Sequence, residues 1–397
     1  MSLFREKVEG SLRRLISWIR RHEYRAYEPA DGNLSWLFSF TGGRIFPMRV
    51  LQQVVLRAPF NVRPLLGIPR HESAIARGYF AWGYVLLHGL TGDDNARGEA
   101  VACLEWLTTN RSSRSAEYCW GDPYEYATRA GRRPFDAPLL IWSALIGQAF
   151  LDAYELFRDE KYMLVAESIG NWMLKLPRES TESGSCMSYV AYRQSSIHNS
   201  NAMGAAFLAR LGTVTGNREA LTTAKSAMTY TCSRQRSDGS WYYAEEAKYH
   251  WIDNFHTGYN LSALKHYRDA TKDDAFDECI KKGLYFYKSH FFESTGVPKY
   301  FHDRTYPVDI QCAAQAIDTL ATLSEEDPEC LPLAMKVAEW TIDHMQAEDG
   351  HFLYRDLGWK KVGTPMLHWG QGTMVKASAV LLGKLASCES IASDIRA

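Results

Sequence analysis

The stretch Ser237-Asp238-Gly239-Ser240-Trp241 is one of four glycine-centred turns that recur along this chain. The other three centre on Gly184, Gly296 and Gly350, and the intervals between the four glycines are 55, 57 and 54 residues. A repeat of this length is typical of stacked supersecondary units, because one unit cannot bury its own apolar face. Each turn leads into a polar and aromatic cluster that opens a helical pattern. These clusters would converge in space if the units close into a ring.

Apolar residues recur at helical spacing in pairs of segments that are separated by helix-breaking turns. The predicted pairs are 74–88 with 96–107, 138–157 with 162–176, 205–211 with 219–233, 261–267 with 276–290, and 313–323 with 331–345, followed by a half-unit at 373–385. The pattern predicts an all-α fold of five to six helical hairpins. We expect a single domain over 1–397, with an amphipathic N-terminal helix at 3–20 that packs on its body.

An open solenoid and a closed toroid share this helical pattern. The long polar and aromatic loops fall on only one of the two connections in each unit, whereas the other connections are short. This asymmetry favours the toroid, because a closed ring would gather all the long loops at one rim. The aromatic runs 241–243 and 352–354 predict short strands beside those loops.

The bulk composition excludes several classes of protein. With 46% apolar residues, 13% aromatic residues and a net charge of −1, the 397-residue chain has ample core material and no electrostatic signature of nucleic-acid binding. The eight cysteines lack any C-x-x-C pair, which indicates reduced thiols and predicts a cytoplasmic protein. No secretory signal and no apolar run of spanning length is recognisable. Attachment of the N-terminal helix to a membrane surface is the weaker alternative to its packing on the body.

The densest polar and aromatic cluster covers residues 249–260 and contains Asp253 and His256. Asp253 is either the N-cap of the following helix or a carboxylate that carries the chemistry, or orients the group that does. Asp309 holds the equivalent place one unit later, so the two aspartates would flank one pocket as the pair that glycoside hydrolysis uses. We predict Asp253, Asp309 and His256 as catalytic residues.

Substrate-binding roles are predicted for residues at the same point of other units and for aromatics beside them. His198 and His368 are suited to act as bases near neutral pH or as donors to sugar hydroxyls. The predicted binding residues are His198, Trp251, Tyr259, Tyr306, His368, Trp369, Gln371, Asp136 and Trp120. The histidines and aspartates offer three metal ligands in principle, but no close ligand pair occurs, and no metal is predicted. Phosphate-loop, dinucleotide and G-x-S-x-G motifs are also absent, so no cofactor is predicted.

A double ring of helices with aromatic and polar loops resembles the (α/α)6 toroid of carbohydrate-active enzymes, which include sugar 2-epimerases, unsaturated glucuronyl hydrolases and glucuronyl C5-epimerases. A closer likeness lies in Tyr27-Glu28-Pro29-Ala30-Asp31-Gly32 and in residues 61–68, which are similar to segments of toroid proteins from bacterial exopolysaccharide biosynthesis clusters. Those proteins usually carry G-Y-D-P-x-D in the first segment, from which Ala26 and Glu28 depart.

The resemblance implies a saccharide substrate, including uronic-acid-containing polymers and lipid-linked oligosaccharides. It implies an epimerase, a lyase or a glycoside hydrolase of polysaccharide metabolism, with polysaccharide-assembly proteins as partners. The alternative is a glycan-binding or scaffold component that has no catalytic activity. An isoprenoid-handling toroid fits poorly, because no D-D-x-D-type motif is present and the rim sequences are too polar.

Overall fold

The computed structural model describes residues 2–129 and 131–394 and consists mainly of α-helices. The helices are α1 (Ser2–Arg21), α2 (Ile45–Arg57), α3 (Ala74–Thr91), α4 (Asp94–Thr109), α5 (Leu140–Phe157), α6 (Glu160–Leu174), α7 (His198–Thr215), α8 (Arg218–Ser233), α9 (Asn254–Thr271), α10 (Asp277–His290), α11 (Ile310–Thr322), α12 (Cys330–Met345) and α13 (Thr373–Asp394). The predicted helical hairpins are all present. Most boundaries lie within a few residues of the expected ones, but α7 and α9 each begin seven residues earlier than the segments at 205–211 and 261–267, and α13 extends nine residues beyond 385.

Six helices form a closed inner ring. α3, α5, α7, α9, α11 and α13 each pack on the next one, and α13 packs back on α3. The other helix of each hairpin lies outside this ring, and α1 packs against α12 and α13 from the same outer layer. The inner helices are buried almost all the way round, as expected of helices surrounded by protein. The predicted all-α toroid is therefore confirmed, and α1 supplies the outer partner of the half-unit at α13.

The four repeat glycines explain how the units pack together. A Cβ on Gly184 would lie 2.3 Å from a backbone oxygen of α8, one on Gly239 would lie 2.3 Å from α10, and one on Gly296 would lie 2.9 Å from α12. On Gly350 the contacted helix is α1, with the Arg14 carbonyl oxygen 2.4 Å away. Each turn therefore lies directly against the outer helix of the following unit. The equivalent contact at Gly350 makes α1 the outer helix of the sixth unit, which closes the ring.

The strands are short and lie in the loops at one rim. They are β1 (Tyr126–Thr128), β2 (Gly131–Arg133), β3 (Arg178–Thr181), β4 (Gly184–Met187), β5 (Val308–Asp309), β6 (Arg355–Asp356) and β7 (Lys361–Val362). All pairings are antiparallel, as β1–β2, β3–β4 and β5–β6–β7. The prediction of strands at 241–243 and 352–354 was wrong, since residues 241–243 form no bridge and residues 352–354 contribute only an isolated bridge at Phe352. Trp241 is buried instead, and its indole N–H donates to the Thr231 carbonyl oxygen.

Residues 22–73 cover the rim that carries the long loops. This cap contains 3-10 turns at Asp31–Leu34 and Trp36–Thr41, followed by α2. It has a small apolar core of its own, formed by Tyr27, Val55 and Ile68 from the cap and by Tyr354, Val362 and Met366 from the C-terminal rim loop. A buried ion pair between Arg63 and Asp31, 2.8 Å apart, ties its two ends together. The cap therefore places N-terminal residues next to the last repeat unit.

Candidate active site

A cavity of about 1680 Å³ opens between the cap and the rim of the toroid. Its wall is rich in aromatic side chains, among them Tyr79, Trp142, Trp251, Phe255, Tyr300 and Trp369. Such side chains offer flat apolar faces, and polar groups placed among them fix the orientation of a ligand. Two histidines from different repeat units, His256 and His368, reach this wall.

His256 forms a hydrogen-bonded pair with Asp253 at the start of α9. The Asp253 carboxylate accepts from the His256 ring Nδ1 at 2.7 Å, from the His256 backbone N–H at 3.0 Å and from the Trp251 indole N–H at 2.9 Å. Asp253 is therefore both the N-cap of α9 and the partner of the imidazole. Because Asp253 is 2% exposed and does not line the main cavity, His256 is the member of the pair that can meet a ligand.

His368 forms a second pair of the same kind with Glu28. Its ring Nδ1 and its backbone N–H both donate to the Glu28 carboxylate, which is 1% exposed. The turn Leu367–Gly372 presents His368, and an isolated bridge between Tyr27 and Met366 brings Glu28 alongside it. In both pairs the carboxylate fixes which ring nitrogen carries the proton and leaves Nε2 as the nitrogen available to a ligand.

One aromatic wall connects the two histidines. The rings of His256 and Phe255 are 3.9 Å apart between centroids, those of Phe255 and Trp369 6.2 Å, and those of Trp369 and His368 5.9 Å. The ring of Trp142 also lies beside that of His368, with the centroids 5.9 Å apart. Within the residues that the structure describes, neither Nε2 atom has a hydrogen-bond partner. The arrangement presents two imidazole nitrogens to one ligand-sized space.

Two tyrosines and a glutamine from the inner helices form the floor of the cavity. The hydroxyl oxygens of Tyr79 and Tyr259 are 2.6 Å apart, and the Gln311 amide donates to Tyr259 at 3.4 Å. Burial raises the pKa of Tyr259 to about 12 and raises that of Tyr79 well above its ordinary value. Both hydroxyls are therefore neutral near pH 7 and are suited to hydrogen-bond with hydroxyl groups of a ligand.

Asp309 lies behind the cavity wall. One carboxylate oxygen accepts from the Gln311 backbone N–H at 2.9 Å as the N-cap of α11, and the other accepts from the Arg355 guanidinium at 2.6 Å. Burial raises the pKa of Asp309, and the nearby Arg355 acts in the opposite direction. Arg355 itself lines the cavity, packed over the rings of Tyr300 and Tyr354. Asp309 thus positions the Arg355 guanidinium at the cavity wall.

His198 is buried at the start of α7 and lies outside the cavity lining. Its Nε2 pairs with the Glu245 carboxylate at 2.8 Å, and this hydrogen bond lowers the pKa of Glu245. Glu245 lines the cavity, whereas the Nδ1 of His198 is buried with no partner among the described residues. His198 therefore does not contact the cavity itself but holds Glu245, which lines it.

The remaining predicted binding residues divide into two groups. Trp251, Tyr259, Tyr306 and Trp369 line the cavity. Three others lie away from its lining: Asp136 accepts from the Ser113 backbone N–H, the Trp120 indole donates to the Leu107 carbonyl oxygen, and the Gln371 side chain bonds both backbone groups of Phe352. The observed contacts of these three side chains hold loops together.

Several residues at the cavity were not singled out from the sequence. Glu28 lies in the segment that carried the family resemblance, but its partner is 340 residues away. Tyr79 and Trp142 belong to inner helices whose side chains are nearly all buried, so their sequence context gives no signal. Tyr300 and Arg355 lie in rim loops without a motif.

No protein-family model and no curated protein sequence matches the chain. Solved structures do match its fold. A cellobiose 2-epimerase from Spirochaeta thermophila aligns with a TM-score of 0.62 and 11% identity, over 80% of this chain and 87% of that one. An unsaturated glucuronyl hydrolase specific for heparin aligns with a TM-score of 0.64 and 14% identity, over 98% of both chains. A D-mannose isomerase aligns with a TM-score of 0.58 and 12% identity, over 78% of this chain and 86% of that one. The chain therefore has the (α/α)6 toroid fold of these carbohydrate-active enzymes.

Proposed function

We propose that this protein is a carbohydrate-processing enzyme that moves a proton at the carbon next to a sugar carbonyl, as a 2-epimerase or an aldose–ketose isomerase. The observation that carries the proposal is the presence of two histidine–carboxylate pairs, His256 with Asp253 and His368 with Glu28, at one aromatic cavity. Reversible proton transfer needs one group that removes a proton and a second that returns it, and imidazole suits both tasks near neutral pH.

In the proposed reaction, Nε2 of neutral His256 removes the proton from C2 of the open-chain sugar. The electrons of the C–H bond move into a C1–C2 double bond, and the charge develops on the former carbonyl oxygen. Protonated His368, held by Glu28, returns a proton to the opposite face of C2 while the carbonyl re-forms at C1, which gives the epimer. For the ketose, the proton goes to C1 instead, the O2 hydroxyl proton passes to the O1 oxyanion, and the carbonyl forms at C2. Asp253 stabilises the imidazolium that forms on His256. In the reverse direction the two histidines exchange roles.

Hydrolysis by paired carboxylates receives less support from the geometry. That reaction requires one carboxylic acid and one carboxylate that both reach the scissile bond. Asp253 and Asp309 cap helices, and each is bound by donors of the protein on both oxygens. We therefore assign both as positioning residues, Asp253 for His256 and Asp309 for Arg355.

The structural relatives support the saccharide class, because an epimerase and an isomerase are among the proteins with this fold. At 11 to 12% identity their own substrates do not transfer to this chain. The exopolysaccharide context, a uronic-acid substrate and a cytoplasmic location remain predictions that rest on the sequence. A glycan-binding module without catalysis would use the same cavity, and the experiment below separates it from an enzyme.

The test is deuterium incorporation at C2. The protein is incubated in D₂O with a panel of free aldoses, reducing disaccharides and uronic acids, and the C2 proton is followed by NMR. We expect exchange with at least one sugar, and a loss of at least about a hundredfold in each of His256→Asn and His368→Asn. The exposed His344 on α12 supplies the matched control, since His344→Asn leaves the cavity intact. A sugar that binds without exchange identifies the binding module, and cleavage of a glycoside at full rate in both histidine variants contradicts the proposal.

A further inference from the structure

The outer surface of the cap carries an unusual concentration of exposed apolar side chains. Phe40 and Phe46 are each 79% exposed and Leu65 is 75% exposed, although all three are large. We call the set Trp36, Phe40, Phe46, Val50, Val54 and Leu65 the apolar patch. Exposed apolar side chains that are scattered singly are normal, whereas a concentration of them in one short segment marks an interaction surface.

The members of the patch lie on elements that pack against each other. α2 turns Met48, Gln52 and Val55 inward and exposes Phe46, Val50 and Val54, which are four residues apart and share one helix face. The 3-10 turn that carries Trp36 and Phe40 packs on α2. Trp36 also donates its backbone N–H to the Leu66 carbonyl oxygen, which places Leu65 beside it. The patch is therefore one surface of the cap.

The formal charges in the segment 32–71, which contains the apolar patch, are all positive. Residues 32–71 contain five arginines, Arg44, Arg49, Arg57, Arg63 and Arg70, and no Lys, Asp or Glu, within a chain whose net charge is −1. Arg63 is buried in its pair with Asp31, whereas Arg44 and Arg57 are exposed at the two ends of α2. An apolar helix face with arginines at its ends is typical of helices that lie in the interface of an anionic bilayer.

We propose that the apolar patch docks on the surface of a membrane containing anionic lipids. The phenylalanines, the tryptophan and the aliphatic side chains would enter the boundary between headgroups and acyl chains, and Arg44 and Arg57 would contact the headgroups. A second copy of the chain is a poorer occupant, because a two-fold interface pairs each patch with itself. The arginines at the ends of α2 would then face those of the second copy, and residues 32–71 offer no carboxylate to pair with them.

Docking in this orientation has a consequence for the cavity. Arg49, Gln53 and Arg57 line the cavity from α2, the helix that also presents the patch. The entrance of the cavity would therefore lie beside the lipid headgroups when the patch is bound. A saccharide carried on a lipid could reach it from there. The membrane contact itself does not depend on the reaction proposed above, so either proposal can fail without the other.

The test is flotation of the full-length protein with lipid vesicles. Phosphatidylcholine vesicles are compared with vesicles in which about a third of the lipid is phosphatidylglycerol, at low and high salt. We expect binding to the anionic vesicles that weakens with salt. The double variant Phe40→Ser/Phe46→Ser should bind at least about tenfold more weakly, and Arg44→Ser about fivefold more weakly. Serine is a favourable residue at the N-cap position that Arg44 occupies, so α2 is retained.

Leu164→Ser is the matched control, because Leu164 is a 65% exposed leucine on the outer helix α6. Its binding should equal that of the wild type, and circular dichroism establishes that every variant is folded. Failure of the wild type to float with anionic vesicles overturns the proposal. So does an equal loss in Leu164→Ser, or a concentration-dependent dimer that Phe40→Ser/Phe46→Ser converts to monomer.

Discussion

The replacement Asp253→Asn tests the role of the pair at the start of α9 most directly. Asp253 accepts three hydrogen bonds, two of them on the oxygen that faces the His256 ring and the Trp251 indole. An asparagine of the same shape has only one acceptor oxygen. It therefore has to place its amide NH₂ either against the His256 backbone N–H or against the pair of side chains.

Placing the amide NH₂ against the His256 and Trp251 side chains costs less free energy. It keeps the cap on α9, and the Trp251 indole, which lines the cavity, can turn its N–H to water. The amide NH₂ then donates to Nδ1 of His256, which moves the imidazole proton to Nε2. Nε2 can no longer accept a proton from the substrate, and a tautomer change of this kind lowers turnover by about 10²- to 10⁴-fold. The lost indole hydrogen bond lowers the free energy of unfolding by about 1 kcal/mol.

The assay is C2 deuterium exchange on the sugar identified as substrate, together with urea unfolding. Asp159→Asn is the control, since Asp159 caps α6 in the same way but far from the cavity. We expect Asp159→Asn to retain full exchange, and Asp253→Asn to lose exchange while remaining folded. An Asp253→Asn protein with wild-type turnover would show that Asp253 is only a helix cap.

Two further predictions concern the stability of the ring. Burial lowers the pKa of His266 to about 4, with Lys376 and Arg210 lowering it further and Asp318 and Asp152 raising it. Because the unfolded chain then binds a proton that the folded chain excludes, the free energy of unfolding falls as the pH decreases below about 6.5. We expect His266→Gln to reduce the difference between pH 7 and pH 5 in urea unfolding by about 2 kcal/mol, and an unchanged difference would contradict this. Gly350 has φ +106° and touches α1, so Gly350→Ala should lower the free energy of unfolding by about 2 to 4 kcal/mol. Gly92→Ala, at φ +69° with open space around it, should cost only about 1 kcal/mol, and equal losses in the two variants would exclude the packing explanation.

The pairing of the histidines was less predictable than the repeat that presents them. The sequence places His256 beside Asp253, because residues three apart at the start of a helix are close by local geometry alone. For His368 the sequence indicates only an equivalent point of the repeat, and it gives no signal of the carboxylate partner. Glu28 reaches it through the cap, over a separation of 340 residues, and no local pattern contains that information.

Asp309 occupies the predicted place in the repeat, but it does not line the cavity. Equivalence with Asp253 suggested a second carboxylate at the cavity, and both residues do cap inner helices. What lies next to each cap depends on the neighbouring loop, which supplies a histidine ring to Asp253 and the Arg355 guanidinium to Asp309. Likewise, the aromatic run at 241–243 has the composition of a strand, yet Trp241 packs inside the protein. Tertiary packing overrode the local preference there.

The sequence by itself determined the stack of helical hairpins and favoured a closed ring. The spacing of four glycines and the helical periods between them specify hairpins that must stack, because each buries its apolar face only against its neighbours. It also determined which rim carries the polar loops. Only the tertiary structure decided that α1 completes the sixth unit and that the cap joins Glu28 to His368. Contacts between the two ends of the chain depend on ring closure, which follows from the summed geometry of all six units and is encoded at no single position.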